Sequence, residues 1–383
     1  MDHVRCEARP GWEETALKLG FGFYQDYWDE SRYYAFTHRQ IQNDIEPALN
    51  SLHQVALEFV DRAINDETLL KKLQIPEWFW PRMIESWRTR SPAMTGRFDL
   101  AYDGVHPPKM LEYNADAPGM VFETGYFQLH WHEQAAAQGI VPADSGQYNK
   151  LQDNILEFFR SFKPSGKVIH IAYLEGMSAD LRDLRYLIAC ARHAGREAKE
   201  ILLGDIQYDG STSLLDADHQ KIDILCKMYP WEWFLAEDEA VSLPVVDTLF
   251  VEPEWTMILS TKASLPLLWQ HFKGHTNLLP AYFAEDEEKP GLSSNYVIKP
   301  VFSMQGHNIS IVENGAVTEE AQGAFSTEKC IVQEYVRLRE YEGRFPILGG
   351  WIANGKPAGI CTRESSQRIT SEDDTRFAPH IVI

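Results

Sequence analysis

Apolar residues recur at helical spacing over residues 31–64, where Ile41, Ile45, Leu49, Leu52, Ala56, Phe59, Val60 and Ile64 fall on one stripe. The spacing predicts a long helix that Pro47 kinks or divides in two. A second apolar cluster, Trp78, Phe79, Met83, Ile84 and Trp87, follows Pro76 and predicts a short helix packed on the first. Its aromatic density is read as core, because a stacking platform for bases would interleave basic residues. Alternation then replaces helical spacing. Residues 97–102 (RFDLAY) and 110–114 (MLEYN) predict two strands joined by a loop that holds Asp103-Gly104 and Pro107-Pro108. Helical stretches near 121–137 and 147–163 precede a buried strand over 167–173, a helix over 179–193 ended by Gly195, and a strand over 198–203. That order is a βαβ unit and implies a small parallel sheet. The last third predicts strands over 296–299, 308–312, 330–336, 346–351 and 358–362, separated by Gly and polar turns, and so an antiparallel sheet. The class is mixed α/β, with two or three lobes or one large enzyme domain in 383 residues.

Charge narrows the function classes. Lys and Arg number 36 against 56 Asp and Glu, a net −20. A polyanion is gripped through clustered cations, and no Lys/Arg run occurs, so a nucleic-acid partner is not expected. A cationic partner is better tolerated. The five cysteines, Cys6, Cys190, Cys226, Cys330 and Cys361, are scattered without CxxC spacing, which predicts neither a disulfide framework nor a zinc knuckle and suits a reducing cytoplasm. The N-terminus has no apolar signal core, and no run of about 18 apolar residues follows, so a cytoplasmic protein without a membrane partner is expected.

Side chains two apart on a strand share a face. Arg97 and Asp99 therefore point one way, with Phe98, Leu100 and Tyr102 opposite; Glu112 and Asn114 share a face, with Leu111 and Tyr113 opposite. If the strands pair, one face gathers an arginine, two carboxylates and an amide. Such oxygens are the hard ligands Mg²⁺ prefers, completed by phosphate and water. A neighbouring arginine would stabilise charge developing in phosphoryl or acyl-phosphate chemistry. The same pattern is also that of an ordinary solvated hairpin with a surface ion pair. Lys262 follows an apolar stretch, and Lys299 ends the run Tyr296-Val297-Ile298 before a loop containing Gly306, an arrangement that would suit nucleotide phosphates. No P-loop, HExxH, GxSxG or full GxGxxG is present. His130 and His132 face apart on a helix and do not suggest zinc.

The segments RFDLAYDG (97–104), KMLEYNAD (109–116), the region of Lys262, YVIKPVFSMQG (296–306), IVQEYV (331–336) and TRESSQRIT (362–370), after YWDESRYYAFT (27–37), resemble the synthetase domain of the glutathionylspermidine synthase family. That family consists of ATP-grasp acid–amine ligases. The resemblance spans nearly the whole chain, 1–383, as one synthetase domain. It implies an ATP-grasp fold in which a helical N-terminal region and a βαβ portion support a nucleotide clamped between two α+β subdomains. By the same resemblance Asp99, Glu112 and Asn114 match magnesium ligands, and the Arg97, Phe98, Asp99 run contributes to the ATP site with Arg97 as the transition-state arginine. Lys262 and Lys299 match ATP-phosphate lysines, Gly306 a flexible-loop glycine, Gln333, Glu334, Tyr335 and Val336 the segment that meets adenine, and Arg363 an arginine that closes the site.

The implied reaction is ATP- and Mg²⁺-dependent joining of a peptide or amino-acid carboxylate to an amine through an acyl phosphate. The amine could be a polyamine such as spermidine, with Glu175 as a candidate contact. Bifunctional relatives add an N-terminal amidase domain, for which this chain has no room. Glutathione-using members carry serines and a cysteine where this chain reads Ala117-Pro118-Gly119-Met120, and the family's ATP loop usually has an arginine where Met304 stands, a departure that bears on catalytic efficiency. Glutathione is therefore not the expected acid. The alternative these departures suggest is a nucleotide-binding regulatory or scaffold protein that has lost turnover. Oligomeric state is not readable from the sequence.

Overall fold

The structure is a computed structural model that describes residues 1–162, 168–176, 178–237, 240, 243–325, 329–371 and 374–383. Lys163 and Lys167, expected at the end of a helix and the start of a strand, lie outside them.

The stripe over 31–64 predicted one helix, but its first residues form a strand instead. Arg32–Phe36 is buried along almost its whole length, between Asp2–Arg5 on one side and His380–Val382 on the other. A run buried on both faces has no period to distinguish it from helix. The helical part begins with a π-helical turn, Gln40–Ile45, that runs straight into an α-helix, Glu46–Ala63. Pro47 is the second residue of that α-helix, at the point where the run passes from π-helical to α-helical winding. All eight stripe residues are buried. In the second cluster Phe79, Met83 and Trp87 are buried on Glu77–Phe79 and Trp80–Arg88, whereas Trp78 is exposed.

Thr95–Ala101 and Lys109–Asn114 pair antiparallel, with Arg97 opposite Asn114 and Asp99 opposite Glu112; beyond Asp99 the register skips Leu111, which lines the cleft with Glu112 and does not share the face of Tyr113 as its alternation predicted. Phe98 stacks on Tyr113 with ring centroids 3.8 Å apart. This apolar face joins the core formed with Leu49 and Leu52, which orients the polar face outward. The hairpin is the edge of a five-stranded sheet completed from the far end of the chain by Phe345–Ala353, Lys356–Ser365 and Arg376–Ala378.

The βαβ expectation holds. Val168–Tyr173 and Glu197–Leu202 are parallel neighbours linked by the helix Ser178–His193, and Ile224–Lys227 and Leu249–Val251 extend the sheet in parallel. The single antiparallel sheet expected in the last third is in fact two. Ala281–Phe283, Cys330–Glu334, Tyr296–Pro300, Ser310–Glu313 and Ala316–Glu320 form their own sheet, because Phe345–Ala353 pairs with Thr95–Ala101 and not with its sequence neighbour. The candidate site lies between these two antiparallel sheets. Among the described residues no helix is long and apolar enough to cross a membrane.

Candidate active site

Arg97 and Asp99 meet on the outward face of their strand, with Arg97 Nε donating to Asp99 Oδ1 at 2.7 Å. Arg363, on the Lys356–Ser365 strand, donates to the other oxygen of the same carboxylate. Burial alone would raise the Asp99 pKa, but the Arg363 and Arg97 guanidinia together hold it well below the usual carboxylate range. Asn114 Nδ2 lies 3.5 Å from Asp99 Oδ2 and 3.4 Å from Glu112 Oε1, so the two i, i+2 pairs converge as their alternation predicted.

Opposite this face stand the two lysines. Lys262 Nζ is 3.3 Å from Glu112 Oε2 and donates to the Ser303 carbonyl at 2.6 Å. Lys299 Nζ donates to the Leu111 carbonyl at 2.9 Å and to Gln333 Oε1 at 2.8 Å, while Gln333 Nε2 donates to the Met110 carbonyl. These bonds tie the second antiparallel sheet to the hairpin. Burial pushes the Lys299 ammonium down to about 8 against the opposing pull of Glu112.

The cleft between the sheets has a charged head, formed by Asp99, Glu112, Lys262 and Lys299, and an apolar body from Val297, Ile311, Val336, Leu338, Ile347 and Ile369. Glu334 and Tyr335 line its edge, Met304, Gln305 and Gly306 its loop side. Gly306 has φ +77°, and a Cβ there would collide with the Thr370 carbonyl, so only glycine lets this loop close on residues 369–370. The donor set suits Mg²⁺: two carboxylates and an amide converge at the polar head of a cleft, where adjacent cations can meet a polyanion.

The model of the family described as glutathionylspermidine synthase preATP-grasp matches residues 3–383. The chain belongs to this family. A Haemophilus influenzae protein assigned as an acid–amine ligase is 32% identical, with 98% of each chain covered. The trypanothione synthetase of Crithidia fasciculata is 28% identical over 87% of this chain, and the bifunctional glutathionylspermidine synthetase/amidase of Escherichia coli 28% over 93%. The matched region spans only 54% and 60% of those two longer relatives. A glutathione-synthetase-like effector from Globodera pallida shares the fold, with a TM-score of 0.58 at 13% identity and 98% of both chains covered. With its family and these relatives, the protein is an enzyme, a ligase that forms a C–N bond.

Against the family-derived residue set, the structure brings together Arg97, Asp99, Glu112, Asn114, Lys262, Lys299, Gln333 and Arg363. Gly306, Glu334, Tyr335 and Val336 line the same cleft. Two other candidates lie apart from this cluster. The Phe98 ring faces the core and stacks on Tyr113, so its side chain does not line the cleft. Glu175 is exposed in the turn after Val168–Tyr173 and is not among the residues lining the cleft.

Other contributors carried no assigned role. Asp116, within the EYNAD segment, is buried and accepts from Trp231 N and Ser260 Oγ, with Lys227 Nζ 3.8 Å away. It pins the loop that follows, whose Gly119 carbonyl accepts from Arg97 Nη1 at 2.9 Å. Arg368 lines the cleft and bridges Glu313 and Glu319 while donating to Tyr335 Oη. Gly349 lies opposite Asp99, and a Cβ there would fall 2.9 Å from Arg97 Cδ. A glycine inside an apolar strand is the one sequence signal that could have flagged this close approach.

Proposed function

We propose that residues 1–383 act as one synthetase unit that uses ATP and Mg²⁺ to join a peptide or amino-acid carboxylate to an amine. One observation carries the reading: Asp99 and Glu112, with Asn114 against both, stand with Lys262 and Lys299 at the head of an apolar cleft, and Arg97 and Arg363 hold the Asp99 carboxylate. In this reading the apolar body takes adenine beside Glu334 to Val336, and the two lysines hold phosphate oxygens. Asp99, Glu112 and Asn114 would hold Mg²⁺, which when bound neutralises phosphate charge. A substrate carboxylate oxygen attacks the γ-phosphorus, the bond to the bridging oxygen breaks, and ADP leaves. The amine nitrogen then attacks the acyl carbon, phosphate departs, and the nitrogen loses a proton. Arg97 faces the crowded negative charge of both steps. A polyamine such as spermidine suits the acidic chain as the amine. Incubating the protein with ATP, Mg²⁺ and pools of peptides and amines, with ADP release and mass detection of products, tests the reading. Nucleotide binding without any product would favour the regulatory alternative.

Lys299 provides a pH test. Its folded pKa of about 8 lies below the ordinary lysine value, so part of the population is neutral near pH 8, and an arriving triphosphate should restore the charge. Binding of a nonhydrolysable ATP analogue at pH 8 is expected to take up protons, seen by calorimetry in buffers of different ionisation enthalpy. Lys299→Ala should abolish the uptake and weaken binding roughly tenfold or more, the loss of a charge-assisted contact. The same depressed pKa penalises the charged folded form below about pH 8, so this residue's contribution makes stability rise between there and its unfolded value. His130 and His132, engaged with Gln134 and Ser145, should be replaceable without effect on nucleotide binding.

Substrate choice follows from the 117–120 loop. Ala117, Pro118, Gly119 and Met120 offer no side-chain hydrogen bond to a thiol or a glycine carboxylate. Across a panel of acids, ADP release should be faster with another peptide or amino acid than with glutathione. Glutathione as the best acid would overturn this expectation.

A further inference from the structure

A second cavity, of about 780 Å³, opens between the loop at residues 19–23, the segment at 122–126 and the helices Leu151–Ser161 and Ser178–His193. Its walls are chiefly apolar and aromatic: Phe23, Phe122, Tyr126, Leu156, Leu181 and Tyr186. The charged residues lining it are Arg182 and Arg185, with His193, Tyr126, Tyr186 and Cys190 as further titratable groups and no carboxylate, in a chain of net charge −20; Arg185 Nε lies 3.7 Å from Glu200 outside the wall. Arg182 is 95% buried; its Nη2 serves Glu123 and Asp183, while Nε and Nη1 have no hydrogen-bond partner among the described residues. Its guanidinium lies 4.7–4.9 Å from the ring centres of Phe21, Phe23 and Phe122. The apolar walls suit an apolar body, and the unpartnered Nε and Nη1 donors of Arg182, in a wall that contains no carboxylate of its own, favour an anionic group over a polyamine.

We propose that this cavity is a second small-molecule site, taking an aromatic or aliphatic body that carries one anionic group. It is separate from the nucleotide cleft, with which it shares no lining residue. One segment of chain nonetheless links it to Arg97. Phe122 is three residues beyond Gly119, which holds Arg97, and the intervening segment is fixed by Asp183 through Met120 N, Val121 N and Phe122 N. A ligand here lies against the peptide that positions Arg97.

Two probes with the same body separate the parts of the proposal: 1-anilinonaphthalene-8-sulfonate and its uncharged counterpart N-phenyl-1-naphthylamine, each titrated by fluorescence against the full chain. Ala189 is exposed on the cavity wall, and a Cβ at Gly22, which also lines it, would meet nothing within 4 Å. Ala189→Trp and Gly22→Phe should therefore fill the cavity without disturbing the core, and each should weaken both probes roughly tenfold or more while ATP-analogue affinity stays unchanged. Arg185→Gln, at a solvent-exposed cation, should weaken the sulfonate roughly two- to fivefold and leave the neutral probe unaffected. Absence of binding, wild-type affinity in both wall variants, or displacement of the probes by the ATP analogue would overturn the site. Equal effects of Arg185→Gln on the two probes, or none, would overturn the anionic requirement.

Discussion

Asp99→Ala is expected to remove ligase turnover and to lower stability by about 3–5 kcal/mol, the cost of leaving a buried ionic group without its partner. The Asp99 carboxylate is almost fully buried and is shared between Arg97 and Arg363. Deleting it places two guanidinia side by side with no anion between them. Glu112→Ala should separate the two effects. Glu112 is about a quarter exposed, and its partner Lys262 also donates to the Ser303 carbonyl, so the stability loss should be small. Its turnover should nevertheless collapse if the carboxylate holds Mg²⁺ against the phosphates. Asp99→Asn preserves the shape and keeps one oxygen for a guanidinium; it should fold better than the alanine variant and remain inactive. Denaturant unfolding beside Mg²⁺-dependent ADP release reads both quantities. Normal Mg²⁺ dependence and turnover in Asp99→Asn and Glu112→Ala would place the metal elsewhere.

The candidate site was legible where chemistry and periodicity coincide on a short span. Arg97 with Asp99, and Glu112 with Asn114, declared a shared face through the period of two, and their apolar alternates Phe98 and Tyr113 locked that face by stacking. The bulge was not legible: the register passes from Asp99–Glu112 to Leu100–Met110 and skips Leu111, so Leu111, expected on the face of Tyr113, lines the cleft beside Glu112 while Met110 takes the core side. Strand partners from remote parts of the chain were equally hidden. The Arg32–Phe36 strand is completed by both chain ends, and the last-third strands divide between two sheets because residues 345–353 answer to 95–101. Asp116 reads in sequence as one more carboxylate of an acidic chain; only its burial against Trp231 N and Ser260 Oγ shows that it anchors the loop supporting Arg97. The second cavity had no local signature, because four separated segments build its walls.

Arg97→Ala is expected to act on turnover far more than on nucleotide binding. Lys262, Lys299 and the apolar cleft, the parts proposed to hold the nucleotide, remain, so affinity for an ATP analogue should change by less than about threefold, while ADP release should fall roughly 10²–10³-fold, the scale for losing one preorganised charge-stabilising group. The fold should survive, because Asp99 keeps Arg363 as its partner. Arg97→Lys makes the argument geometric: an ammonium restores the charge, yet it cannot match the fork that meets both Asp99 oxygens and the Gly119 carbonyl together, so it should rescue only part of the activity. Gly349→Ala reaches the same group from behind, because its added methyl would press on Arg97 Cδ and Cys361 Sγ. That variant should lower turnover in the same direction with analogue affinity preserved, although residue 349 touches no proposed substrate. If Arg97→Ala keeps full turnover, or loses nucleotide affinity in proportion to its activity, the charge-stabilising role fails. Normal turnover in Gly349→Ala would show that Arg97 needs no fixed placement.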